Sequence, residues 1–146
     1  MILDRGEIER LLPHRFPMLL VDQIVDLVPG KRVVGLKRVG PDEWFVKAAE
    51  APAQQMPPTL IIEAMAQCGG FLALKGLEAA GQAPEDKVFY FLSIEGCEFF
   101  RPVKPGDELR VEVQVLRDKG TICKLRGRAY VDEVLAGEAV ILIAQS

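Results

Sequence analysis

The chain has 146 residues, 49% of them apolar and 27% charged, with a formal net charge of −3. That length holds one domain with room for a proper core, and the composition is that of a soluble protein. The slight acidity excludes a general attraction to nucleic acid or to an anionic membrane surface.

Asp4 opens a short helix with acidic residues in its first turn, and Pro13 ends it. The charges of Met1–Arg10 replace the apolar run of a secretory signal, so the cytoplasm is the expected compartment. Leu19–Val28 reads as a strand, Pro29-Gly30 as a turn and Lys31–Val39 as a second strand, which makes a hairpin before Gly40-Pro41-Asp42. Residues 43–55 have no clear period. A loop there can place groups at the N-terminus of the helix that follows, where free N–H groups favour an oxyanion.

That helix, Met56–Gly81, is the centre of the chain. Pro57-Pro58 opens it, Gly81 stops it, and apolar side chains occur all around it. Such a helix is buried in a core or in a membrane. Glu63, Gln67, Lys75 and Glu78 argue for the core. After a polar connection, Lys87–Val103 reads as a long strand with a bulge at Gly96. Leu109–Val115, Cys123–Val131 and Val134–Ile143 then form an antiparallel meander. Two strands, one long helix and four strands make an α+β fold, with an antiparallel sheet curled around the helix. The apolar strands call for a dimer, with edge strands paired across it.

Thr59, Glu63 and Gln67 are spaced by four and stack on one side of the helix. A carboxylate there is costly to bury unless it is paired, hydrogen-bonded or protonated. Burial is expected to raise the pKa of Glu63, which suits a proton donor. The plainer alternative is a stripe facing solvent or a subunit contact. Cys68, Cys97 and Cys123 are odd in number and widely spaced, which argues against a disulfide framework or a zinc site. Cys68 and Cys123 are expected as small buried hydrophobes.

Three segments carry a resemblance. Leu12-Pro13-His14-Arg15-Phe16-Pro17-Met18-Leu19-Leu20-Val21-Asp22 resembles the N-terminal signature of the FabZ-type 3-hydroxyacyl-acyl-carrier-protein dehydratases. Met56-Pro57 with Leu60–Gln67 resembles that family's central-helix motif, and Phe99–Val103 with Pro105-Gly106-Asp107 its third signature. They occur in family order and cover nearly the whole chain. The resemblance implies the hotdog fold and a homodimer, with a trimer of dimers as a larger form. It also implies removal of water from a 3-hydroxyacyl thioester of fatty acid biosynthesis, carried by acyl carrier protein or coenzyme A. Glu63 matches the family's catalytic Glu, and Gln67, one turn on, matches a position that can orient it. Substrate contacts fall at Met56, Pro57, Pro58, Thr59 and Gln67.

The resemblance breaks at one place. The family's second proton-handling group is a His in a Gly-His-Phe-Pro loop of the opposite subunit. Ala48-Ala49-Glu50-Ala51 stands there, with Ala49 in the His position, and Pro58 replaces the usual Gly and its N–H. The one histidine of the chain, His14, belongs to the N-terminal signature, where the resemblance gives it a structural part. Glu50 adjoins the lost position and is a candidate substitute base, a solvated loop carboxylate being the plainer reading.

Impaired or absent dehydration is therefore expected. The alternatives are a non-catalytic acyl-thioester-binding subunit, one that completes a mixed dimer, and a thioester hydrolase in which a carboxylate activates water. Acyl carrier protein is an acidic partner, and Arg101, Lys104, Lys124, Arg126 and Arg128 are candidate contacts, unless they are ordinary solvated strand faces. No metal or dissociable cofactor is expected, because the chain has no ligand cluster and no Gly-rich phosphate loop.

Overall fold

The computed structural model of the chain describes residues 2–145, the side chain of Asp86 excepted. The elements in chain order are α1 (Arg5–Leu11), β1 (Gln23–Val28), β2 (Arg32–Arg38), α2 (Trp44–Lys47), α3 (Pro58–Ala79), β3 (Phe89–Phe99), β4 (Glu108–Asp118), β5 (Ile122–Val131) and β6 (Val134–Gln145). The strands form one six-stranded sheet in the order β1-β2-β4-β5-β6-β3. Every pairing is antiparallel. The long helix α3 packs against β2, β4, β5 and β6, which is the hotdog arrangement expected of the resemblance.

The alternation of β4 and β5 explains this layering. Leu109, Val111 and Val113 with Leu125, Ala129 and Val131 point inward and are buried. Arg110, Glu112, Gln114, Lys124, Arg126 and Arg128 lie on the opposite face. Helix α3 meets the inner face through Ile61, Ala64, Met65, Cys68, Phe71 and Leu72, all buried. Two glycines permit the close approach. A Cβ on Gly69 would lie 2.7 Å from Leu125 Cδ1, and one on Gly127 would lie 2.8 Å from Met65 Sδ. The helix is long and apolar enough to cross a membrane by length and composition, but half of that span is buried against the protein's own core. Pro58, Thr59 and Ala79 are exposed, so the helix is covered along its middle rather than over its full length.

Turn chemistry agrees with the sequence. Gly81 takes φ +79° just beyond α3, and its N–H donates to Glu78 O, the glycine stop that was expected. The register of β3 against β6 slips between Glu95 and Glu98, around Gly96 at φ +55°, which is the expected bulge. Asp132 and Glu133 both have positive φ in the tight turn between β5 and β6.

Three boundaries differ from expectation. β1 begins at Gln23, not Leu19. Leu19, Leu20 and Val21 are buried, but the Leu20 N–H is spent on the side chain of Gln67, so this run packs beside α3 ahead of the ladder. The long third strand is shorter at both ends, Phe89–Phe99. The supposedly irregular stretch holds the one-turn helix α2, which seats Phe45 and Val46 in the core.

β3 is an outer strand of the sheet and stays open to solvent. Tyr90 is 55% and Leu92 51% exposed, and Phe91, Ile94, Phe99 and Phe100 are exposed beside them. A long apolar edge of this kind is a template for pairing with another chain.

Candidate active site

Helix α1 is capped by the Asp4 side chain, which accepts from the Glu7 N–H at 3.2 Å. It ends at Leu11, and the chain turns through Leu12 and Pro13 to present His14. Arg15 holds that turn from behind. Its guanidinium donates to Leu12 O at 2.8 Å, His14 O at 2.7 Å and Glu9 O at 3.0 Å. Three carbonyls fixed by one planar side chain leave little freedom to the backbone that carries the imidazole.

Opposite lies the middle of α3. Gln67 is 2% exposed and fully engaged. Its Oε1 accepts from Leu20 N at 2.8 Å, and its Nε2 donates to Met18 O at 2.8 Å and to Glu63 Oε1 at 3.0 Å. The amide thus ties the segment after His14 to the helix and orients the carboxylate one turn earlier. Glu63 Oε1 also lies 3.5 Å from His14 Nε2. The two side chains are 30% and 32% exposed, so solvent reaches both. His14 Nδ1 is buried and has no hydrogen-bond partner among the described residues.

This arrangement corrects two expectations. Burial was expected to raise the pKa of Glu63, but the carboxyl is held below its ordinary value. The neighbouring His14 imidazole lowers it most, burial pulls the other way, and the bond from Gln67 adds to the lowering. Glu63 is therefore a carboxylate at neutral pH, suited to accept a proton. The second correction concerns His14, which was assigned a structural part. It faces Glu63, because Pro13 and the Arg15 clamp turn it into the same cavity. The signal available in the sequence was the presence of the only histidine inside a signature segment.

The cavity has a volume of about 510 Å³. One wall is the α3 stripe Glu63, Ala66, Gln67, Gly70 and Leu74, and the other walls come from residues 9–15, the segment Pro84–Phe91 and Ile143. The size is that of a pocket for a small organic ligand.

The other expected contacts lie elsewhere. Met56, Pro57, Pro58 and Thr59 stand at the start of α3 and do not line this cavity within one protomer. Met56 is fully buried, and its N–H donates to Val103 O at 2.8 Å, whereas Pro58 and Thr59 are exposed. Thr59 is thus on the same side as Glu63 by spacing but outside the pocket. Ala49 and Glu50 also lie outside it, in a loop tied by Gln54 Nε2, which donates to Ala49 O at 3.1 Å and Val46 O at 3.3 Å. Glu50 is an exposed side chain.

The five candidate basic residues fall into two places. Lys124, Arg126 and Arg128 share the outer face of β5, where Arg128 pairs with Glu138 at 3.5 Å. Arg101 and Lys104 are exposed in the connection from β3 to β4, beside the Val103 carbonyl that holds Met56 at the mouth of α3. Cys68 and Cys123 are buried as expected, and burial pushes their thiols up to about 12 and about 11. No group of three or more His, Cys, Asp or Glu able to hold a metal occurs among the described residues.

Residues 12–140 match the family model described as a FabA-like domain. The chain is 46% identical to a 3-hydroxyacyl-acyl-carrier-protein dehydratase FabZ of Campylobacter concisus over 139 residues, 94% of each chain. It is 46% identical to the protein of the same name from Geotalea uraniireducens, covering 94% of this chain and 92% of that one. Among solved structures it resembles a dehydratase heterocomplex from Xenorhabdus doucetiae. That TM-score is 0.81, at 19% identity, with 95% of this chain and 90% of that chain covered, a likeness of fold.

Proposed function

The chain belongs to the FabA-like family and, within it, to the FabZ-type 3-hydroxyacyl-acyl-carrier-protein dehydratases of fatty acid biosynthesis. From that premise we propose that it binds 3-hydroxyacyl and enoyl thioesters in the Glu63 cavity, and that its homodimer dehydrates them slowly or not at all. Dehydration breaks the C2–H and C3–O bonds and forms the C2–C3 double bond. It needs a base at C2, a proton for the departing hydroxyl, and donors for the charge on the thioester oxygen. Glu63, held as a carboxylate, can take the C2 proton. In the family the second proton-handling group is the loop His, and Ala49 offers only a methyl in its place. His14 is an imidazole at hand, but its Nε2 is directed at Glu63 itself, 3.5 Å away, rather than across a substrate from it. It keeps the carboxylate ionised and is a poor stand-in for an acid on the far side of C3.

The observation that carries this reading is one carboxylate held between His14 and Gln67, with no proton donor at position 49. Loss of one member of an acid–base pair costs about 10²–10⁴ in rate. The test offers 3-hydroxyacyl and enoyl thioesters to the purified homodimer and follows binding, water elimination and thiol release separately. Saturable binding with slow turnover that disappears in Glu63→Gln supports the reading. Brisk elimination by the pure homodimer overturns it, and free thiol as the main product replaces it with a hydrolase.

A mixed dimer is the second reading, favoured by the open apolar edge of β3. A partner bearing an intact Gly-His-Phe-Pro loop would complete the site at Glu63, and the similar fold from Xenorhabdus doucetiae is described as a heterocomplex. Fast turnover that appears only on mixing with such a partner, and is lost with Glu63→Gln in this chain, distinguishes it. For an acidic acyl carrier protein, Arg101 and Lys104 near the start of α3 are better placed than the partly paired face of β5. The cytoplasm is the compartment that goes with this chemistry.

A further inference from the structure

The cavity at Glu63 continues along α3, and the residues of that wall are graded in a way packing does not require. Past Glu63 come Ala66 and Gln67, whose amide is spent on Met18, Leu20 and Glu63, then Gly70 and Leu74. At about 1.5 Å of rise per residue, the stretch Glu63–Leu74 is about 16 Å long. Glycine inside a helix weakens it relative to alanine, so it calls for a reason. For Gly69 the reason is contact, since a Cβ would strike Leu125. For Gly70 it is not: a Cβ would meet only Leu12 Cδ2, at an ordinary 3.8 Å. What a larger side chain at Gly70 would fill is the cavity.

At the far end stands Phe89, half-buried at the start of β3 and packed on the core. A second cavity of about 280 Å³ lies between α3 and the sheet, lined by Leu72, Ala73, Leu77, Val115 and Leu125 among others. Among the described residues Phe89 alone lines both cavities. It stands between a groove that has Glu63 at its head and a second space lined mainly by apolar side chains, with Asp118, Gln82 and Gln145 also in its lining.

We infer that Gly70 and Phe89 set the acyl chain length this protein accepts, Gly70 by leaving the track open and Phe89 by stopping the tail before the second cavity. The occupant is the saturated tail of the thioester, whose reacting end lies at Glu63, so the inference rests on the function proposed above. A chain that must bend away from a blocked track loses the transfer of its terminal methylenes from water.

The experiment measures binding of acyl-pantetheine thioesters, from butyryl to palmitoyl, to the homodimer and to Gly70→Leu and Phe89→Ala. The readout is the affinity ratio of long to short chains. Gly70→Leu should lower that ratio by about tenfold or more, and Phe89→Ala should raise it by a similar factor. The opposite directions cannot both come from damaged folding. Wild-type binding with the same chain-length profile in both variants overturns the inference and leaves the functional reading standing. Absence of binding at every length in the wild type overturns both.

Discussion

His14 Nε2 lies 3.5 Å from Glu63 Oε1, although one residue sits in the turn after α1 and the other in the middle of α3. The contact depends on two supports, one on each side of it. Arg15 fixes the carbonyls of the turn that carries His14, and Gln67 binds Glu63 while pinning Met18 and Leu20. The carboxylate is thereby held ionised in a half-buried position where isolation would favour the neutral form.

Replacing Glu63 by Gln keeps the shape and removes the base. Any water elimination by the homodimer or by a mixed dimer should fall by about 10²–10⁴. A steady-state assay with an enoyl thioester, followed in the hydration direction, checks this, and an undiminished rate would remove Glu63 from the chemistry.

His14→Ala removes the largest influence that lowers the Glu63 pKa and leaves burial to push it up. The sign follows from the folded value lying below the ordinary 4.5. The ionised carboxylate stabilises the fold above that ordinary value, and its contribution is lost as pH falls through the lowered one. In His14→Ala the carboxyl should titrate at higher pH, and this stabilising contribution should shrink or vanish. A carbon-detected NMR titration of the Glu63 carboxyl in both proteins measures the shift, and an identical midpoint would show that the imidazole does not govern it.

Gln67→Leu fills similar volume without the amide. It leaves the Leu20 N–H and the Met18 carbonyl without their buried partner. Destabilisation of about 2–4 kcal/mol is expected, read from the urea midpoint. A change under about 0.5 kcal/mol would mean that these groups find water instead.

Introducing Ala49→His restores the imidazole but not the loop, where Glu50-Ala51 stands for Phe-Pro and Gln54 ties the Ala49 carbonyl. Turnover should rise only partially. Recovery of a rate equal to that of a His-bearing relative would show that the rest of the loop is immaterial.

Lysines in place of Leu92 and Ile94 put charge on the open edge of β3. If that edge pairs two copies, the double variant should sediment as a monomer and lose thioester binding that needs both subunits. An unchanged dimer would locate the interface elsewhere.

The strands β4, β5 and β6 and the helix α3 were legible in the chain because their periods are strong and long. Apolar residues alternate cleanly on β4 and β5, and the helix is bounded by Pro57-Pro58 and Gly81. Glu63 stood out for the same local reason, as an acid inside an apolar helix, and the absence of a His at position 49 was plain from the motif. The one-turn helix α2 was not legible, since so short a helix is held by tertiary contacts of Phe45 and Val46 and not by its own pattern. The role of Leu19–Val21 was also hidden, because an apolar run reads alike whether it joins a ladder or packs beside a helix.

What the sequence by itself determined is the layer architecture, set by local periodicity, while Glu63 was picked out as a candidate by its spacing together with the resemblance of its motif. Only the tertiary structure decided what faces that group and how it is charged. Proximity between a turn and a helix far along the chain leaves no mark in either segment, and the protonation of a carboxyl depends on those neighbours more than on its depth.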